Sequence, residues 1–193
     1  MKKVSLSGSL RESVGKKSTK KLRKEEKVPC VIYGKGEQIQ FSVSEKEVGK
    51  LVWSPNVYNF IIDIDGKEHS AVIQDLQFHP VSDRLLHVDF FEITEDKPFK
   101  VALPVEPVGA APGVVKGGKL TINRRKLNVK GLIKDLPETI KIDITGLDVA
   151  DTLKVSELAA ESDLTFLDPA SDVVVAVKSS RKMVDVEEEN AEE

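Results

Sequence analysis

Along the first half of the chain, apolar and polar residues alternate in short bursts. VSLSGSL (4–10) sets Val4, Leu6 and Leu10 against serine and glycine, the period-two pattern of a strand with one buried face. VPCVIYG (28–34) is a short apolar run that ends at glycine, and RLLHVDFFEI (84–93) alternates again. NFIIDIDGKEHSAVIQDLQ (59–77) holds two β-rich runs split by Asp65-Gly66. Both turn residues tolerate positive φ, so this stretch predicts a hairpin. SEKEVGKLV (44–52) breaks the alternation: Ser44 and Glu47 have capping-box spacing, and Val48, Leu51 and Val52 fall on one side of a short helix.

The pattern is interrupted near residues 94–98. TEDKPFK (94–100) is polar and carries Pro98, and Pro104, Pro107 and Pro112 follow closely. Beyond them, KLTINRRKLNVKGLI (119–133) and ETIKIDITGL (138–147) alternate like strands, VSELAA (155–160) is one helical turn or two, and DVVVAVK (172–178) reads as a buried strand. The end, DVEEENAEE (185–193), is acidic and poor in apolar residues, as a disordered tail is. The expectation is a mainly β chain. A small antiparallel barrel or sandwich with two short helices occupies residues 1–95, a second β-rich domain residues 96–184, and an acidic disordered tail residues 185–193. Closure of the first sheet would hide its edges from other chains.

Composition narrows the class. The 193 residues are 40% hydrophobic but 5% aromatic, so a core must rest on Val, Ile and Leu. No apolar run approaches the roughly 20 residues that span a bilayer. The start, MKKVSLSGSLRESVG, is basic without a signal peptide's apolar stretch. The single cysteine, Cys30, excludes an internal disulfide and any Cys-based zinc site, and in its apolar run it reads as a small core residue. Together these features point to a soluble, cytoplasmic protein of a reducing compartment.

The net charge of −3 hides a polarised distribution. Residues 1–30 hold ten Lys or Arg against three Asp or Glu, residues 1–95 sum to +1, and residues 96–193 to −4. A basic arm on a near-neutral body suggests a patch that meets a polyanion. Its centre is KKSTKKLRKEEK (16–27), with seven cationic residues and one sizeable apolar residue, Leu22. As a helix stopped by Pro29, it puts Lys17, Lys20, Lys21 and Lys24 on one face. Like charges so placed destabilise an isolated helix, which makes sense if phosphates neutralise them, with Arg11 and Lys16 extending the patch. A merely solvated face is the other reading.

Enzyme motifs fare worse. GVVKGGK (113–119) matches the first part of a phosphate-binding loop, but Leu120 stands where Ser or Thr would ligate magnesium, and the continuation is strand-like. A glycine-rich turn is the better reading, with no nucleotide and no cofactor. His69, His79 and His87 fit no zinc spacing, so no metal is expected. His87 and Asp89 lie two apart in a strand and share a face, opposite Leu86, Val88 and Phe90. No nucleophile motif accompanies them. Two readings stay open: solvent-facing strand residues, or hydrogen-bonding partners for base edges and ribose hydroxyls.

Four segments carry a resemblance to a known family: Arg11–Lys16 as R-x(3)-G-K, KKLRKEEKVPCVIYGKG (20–36), QDLQFHP (74–80) and LLHVDF (85–90). In this order they resemble the bacterial large-subunit ribosomal proteins that bind 5S ribosomal RNA. LPETIKIDITGLDVADTLKVSEL (136–158) looks like the extra C-terminal domain of the longer form, the general stress protein CTC family. The resemblance implies a non-catalytic ribosomal RNA-binding protein. Its N-terminal barrel, of the six-stranded antiparallel type, would dock on 5S RNA in the large (50S) subunit, with neighbouring ribosomal proteins as further partners. It implies an RNA-contact set of Arg11, Lys16, Lys20, Lys21, Arg23, Tyr33, Gln74, His87 and Asp89, and a protein that is monomeric off the ribosome. The family often has Arg-Arg where this chain has Lys20-Lys21, and lysine lacks the planar fork of arginine. A different class of function, a stress-related protein–protein adaptor in which the second domain works and RNA binding is secondary, is the alternative.

Overall fold

In the computed structural model, which describes residues 1–36, 38–94, 97–161 and 164–179, the alternating segments of the first half form six strands. They are β1 (Lys2–Leu10), β2 (Lys27–Tyr33), β3 (Ile39–Ser44), β4 (Tyr58–Ile64), β5 (Lys67–Phe78) and β6 (Leu85–Glu92), with α1 (Lys16–Lys24) after β1 and α2 (Glu45–Val52) after β3. They close into a barrel in the order β1-β3-β2-β6-β5-β4. The closed barrel matches expectation, but its strands are not all antiparallel. β1 runs parallel to β4 and β2 parallel to β6. Period-two alternation sorts side chains between faces and is blind to the partner strand's direction, so the sequence pattern is the same for either pairing.

The barrel interior follows the alternation. Phe41, Phe60 and Phe90 are fully buried, with Phe90 5.8 Å from Phe41 and 5.5 Å from Phe60, centroid to centroid. Val28, Cys30, Ile32, Val43, Ile62 and Val88 pack around them. Three of the chain's ten aromatic residues thus meet at the centre of this core. Gly8 makes the room: a Cβ there would lie 2.8 Å from the Phe41 ring. Burial holds the Cys30 thiol well above its ordinary range, in keeping with an unreactive core residue.

Local signals were kept in part. Asp65 (φ 51°) and Gly66 (φ 81°) make the hairpin turn between β4 and β5. Ser44 stands at the N-cap of α2, yet its side chain makes no capping bond. The first amide, Glu45 N, donates instead to the Glu26 carbonyl at 2.9 Å. Val48 is the helix's buried residue. In β6 the buried residues are Leu85, Val88 and Phe90, with Leu86 half-buried, because an irregularity at Gln77/Phe78 shifts the phase of the β5–β6 ladder.

The chain forms two units: Met1–Val101 together with Leu132–Glu138, and Ala102–Gly131 together with the described residues from Thr139 onward. The second unit is β-rich, as expected. β7 (Phe99–Val108), α3 (Pro112–Val115), β8 (Lys119–Ile122), β9 (Lys126–Gly131), β10 (Ile140–Asp143), β11 (Thr152–Lys154), α4 (Val155–Glu161), β12 (Thr165–Phe166) and β13 (Val173–Lys178) follow in order. They build a sheet β10-β7-β9-β12 and a sheet β11-β13-β8. Leu103, Leu127, Val129, Ile142 and Val174 to Val177 are buried there. β7 contains Pro104 and Pro107, residues that read as breakers in sequence. Pro104 precedes the first β7–β10 pair, Val105↔Ile140. The bond from Ile144 N to the Val108 carbonyl sets the ladder's phase, so Pro107 N faces away from β10. GVVKGGK is a single helical turn and a glycine turn leading into β8, as the strand-like continuation implied. The acidic tail expected over 185–193 lies outside the described residues.

Phe90 is the shared partner of both other core rings. Phe90→Ala should lower the unfolding free energy of the first unit by about 3–5 kcal/mol, read as a shift of the urea midpoint at unchanged m-value.

Candidate nucleic-acid interface

Helix α1 has no fully buried residue, and its N-cap, Gly15, offers no side-chain oxygen. Hydrophobic burial therefore does little to hold it. Polar ties do the work. Arg23 donates from Nε and Nη2 to the Leu86 carbonyl of β6, at 3.2 and 2.8 Å. Arg11 Nη2 donates to Thr19 Oγ1 at 3.3 Å, while Thr19 Oγ1 donates to the Gly15 carbonyl at 3.0 Å. At the far end Arg84 Nη2 donates to the Arg23 carbonyl at 3.3 Å. Arg84 also grips the Glu45 carboxylate of α2 with Nε and Nη2, at 3.2 and 2.6 Å. A guanidinium at a helix C-terminus both satisfies an open carbonyl and suits the negative end of the dipole.

The helix stops at Lys24, well short of Pro29 and contrary to the sequence expectation. Glu26 takes φ 56° and turns the chain into β2, where Pro29 is paired with Ser42. The Glu26 carbonyl accepts from Glu45 N at 2.9 Å, and its exposed carboxylate meets Lys46 at 2.8 Å, which lowers its carboxyl pKa from the ordinary value. The turn is a tertiary feature, fixed by α2, and so leaves no local signature.

Of the expected contact residues, Lys16, Lys20 and Lys21 are exposed along α1, and Arg11 and Arg23 are half-buried in the ties just described. The structure thus separates free cations from anchoring ones. Lys16, Thr19, Lys20, Arg23, Lys24 and Arg84 line a shallow groove of about 460 Å³. Lys17 and Lys21 line the other flank of the helix together with Lys16. Lys21 also meets Glu25 at 3.9 Å, an exposed pair that contributes little. Arg84 was not among the expected residues. It stands at the start of a strand, far in sequence from the basic segment, and only the fold brings it to the groove.

Beside α1 the outer faces of β2, β6 and β5 gather the polar residues. His87 and Asp89 share a face, as expected, with Nδ1 and Oδ1 2.7 Å apart. In register, Asp89 lies between Val31 of β2 and Asp75 of β5, and His87 lies opposite Gln77. Gln74 is left without a pair by the register shift between Ile73 and Asp75, an irregularity that turns the strand and exposes it. Tyr33 ends β2 edge-on to Phe91, with centroids 5.9 Å apart. Burial, then the nearby Asp89 and Asp75 carboxylates, push its phenol above the ordinary value, so it stays a protonated donor at neutral pH. Asp75 and Gln77 were missed in the sequence, although QDLQFHP already placed them on alternate positions of the same strand. What results is a donor-and-acceptor surface flanked by a rail of cations, with no cluster among the described residues able to hold a metal.

Arg23 binds α1 to the barrel through a forked bond that lysine cannot reproduce. Arg23→Lys should therefore speed amide hydrogen exchange across residues 19–25 by about tenfold, equivalent to roughly 1–2 kcal/mol for a bond from a charged donor. Barrel amides such as Val88 should be unaffected.

The sequence comparisons divide at the same place as the strands. Residues 6–90 match the Ribosomal L25p family, and residues 98–181 match the C-terminal domain of ribosomal protein TL5. A large ribosomal subunit protein bL25 from Porphyromonas gingivalis is 41% identical over 183 residues, covering 94% of this chain and 95% of that protein. The bL25 of Phocaeicola vulgatus is 44% identical over 188 residues, covering 94% of each chain, and that of Bacteroides thetaiotaomicron is 40% identical over 186 residues, again covering 94% of each. With such identity sustained across both units, the chain belongs to the ribosomal L25p family, whose members are structural ribosomal proteins rather than enzymes.

Proposed function

We propose that this chain is a component of the large ribosomal subunit and binds 5S ribosomal RNA through its first unit. The observation that carries this reading is the pairing of two surfaces side by side on one barrel. One is the exposed lysine rail of α1 with its groove, and the other is the Tyr33, Gln74, His87 and Asp89 face. A-form RNA offers just these two features: phosphates along its backbone, and hydroxyls and base edges in a wide, shallow minor groove. The lysines neutralise phosphates and supply affinity. The polar face reads hydroxyls and base edges and fixes register.

In the second unit residues 102–131 and 139–179 balance nine Lys or Arg against nine Asp or Glu, and the acidic excess lies in residues 180–193, so net charge does not draw its body to a phosphate backbone. In this reading it is left for neighbouring ribosomal proteins, and INRRK (122–126), flanked by Lys119 and Lys130, is a local basic spot. Relatives named as large-subunit proteins over nearly their whole length support placing both units on the ribosome.

Replacing Lys20 and Lys21 with Glu should weaken 5S RNA binding strongly in gel-shift titrations, with the urea midpoint unchanged because both side chains are exposed. The slope of log affinity against log salt should fall by about 0.7–0.9 for each phosphate that is no longer neutralised. Unchanged affinity and slope would return α1 to a solvated face.

Asp89→Ala should behave differently. Loss of one hydrogen-bonding partner on the polar face should cost about 1–3 kcal/mol of binding and leave the salt slope as it was. A slope that changed instead would place phosphates, not hydroxyls or base edges, over β6.

A further inference from the structure

The chain's only tryptophan, Trp53, is 67% exposed. It follows directly on α2, where its amide donates to the Gly49 carbonyl at 3.1 Å, so its backbone is fixed. Its ring lies 5.4 Å from that of Phe78, tilted by 40°, and Phe78 is itself 36% exposed at the end of β5. Val81, in the loop that follows, is 86% exposed. Neither ring belongs to the barrel core. Leaving the largest apolar side chain in water, braced by a second ring, forgoes a sizeable burial gain.

The pair adjoins the cationic groove. Phe78 is the register partner of Leu85, the residue after Arg84, and His79 N donates to the Arg84 carbonyl at 2.8 Å. The Arg84 side chain lines the groove with Lys20 and Lys24. It also holds Glu45, the first residue of the helix that Trp53 follows. Eight residues of helix rise about 12 Å, a distance that a few nucleotides span. Exposed aromatic rings beside a basic track are how proteins hold unpaired nucleotides, since every base has a face to stack and every linker a charge to neutralise.

We propose that Trp53, braced by Phe78, is a stacking platform for an unpaired nucleobase of the RNA whose phosphates lie in the groove of α1 and Arg84. The proposal rests on the RNA-binding reading above and adds to it a second interaction of different physical kind. A nucleic acid is favoured over a protein partner because Phe78 pairs with the residue next to Arg84, which lines the cationic groove.

The test uses the full chain and transcribed 5S ribosomal RNA, with gel shift and tryptophan emission recorded in the same titration. Trp53 emission should be quenched along the gel-shift isotherm. Trp53→Ala should weaken binding by about tenfold with the salt slope unchanged, whereas Trp53→Phe, which keeps a ring, should stay within about twofold of the parent. A shifted complex with unquenched emission, and wild-type affinity in Trp53→Ala, would overturn the platform while leaving RNA binding by α1 intact; the rings would then face a protein. Quenching without loss of affinity in Trp53→Ala would overturn it too, because proximity without stacking gives that pair of results. If no complex forms with the parent chain, the RNA-binding reading fails first and the platform fails with it.

Discussion

The ladder between β2 and β6 sets up both the stability and the surface of the first unit. Its pairs alternate in kind. Cys30↔Val88 and Ile32↔Phe90 point into the core, while Val31↔Asp89 and Tyr33↔Phe91 point outward. One row of backbone hydrogen bonds therefore fixes Phe90 against Phe41 and Phe60 and, with the same register, fixes Asp89 beside Tyr33. A slip of one residue would send Asp89 into an apolar interior and Phe90 into water, a double cost that pins the register. The polar face is as well ordered as the core because the two are opposite sides of one ladder.

The cationic helix poses the opposite problem. Its sequence has little to bury, and its lysines repel one another. Arg23 ties the helix to the Leu86 carbonyl of the barrel, while Arg11 and Arg84, from outside the helix, donate to its Thr19 hydroxyl and Arg23 carbonyl. Arginine suits the task because its fork reaches two acceptors at once and its charge survives partial burial. The exposed lysines, tied to little beyond one weak pair with Glu25, keep their side-chain freedom. Cationic residues that look alike in sequence thus divide into those that place the helix and those that remain available to a polyanion.

Much of this arrangement is legible in the sequence, and the limits have physical causes. Alternation located the strands of the barrel, and Asp65-Gly66 located its hairpin, because both depend on local sterics and on which face is buried. Strand direction was not legible, since it depends on how the chain returns. The break at Glu26 was not, because its carbonyl is bonded by the Glu45 amide of another element. Pro104 and Pro107 read as breakers because sequence does not show which way a backbone amide faces in a sheet still to be assembled. Of the contact set named from the family resemblance, Tyr33, His87 and Asp89 lie on the paired strands β2 and β6, but the anchoring role of Arg23 depends on Leu86, 63 residues away. Arg84 gave no signal at all.

Two kinds of recognition are built into different parts of the proposed interface. Charge acts over about a Debye length, tolerates small displacements and fades with salt. Hydrogen bonding at His87 and Asp89, or stacking at Trp53, acts only at close range and is indifferent to salt in comparison. The first kind sits on a tethered helix with exposed lysines. The second sits on strands of a closed barrel and at the fixed end of α2. In the proposed reading, a rail of exposed lysines accommodates a polyanion in many orientations, and a rigid face beside it accepts only one. Arg84 joins the parts physically: one guanidinium caps the helix, holds α2, and lines the groove. Moving it would disturb the helix and the start of α2 together, so the geometry that links capture to register depends on a residue that sits in neither the basic segment nor the polar face.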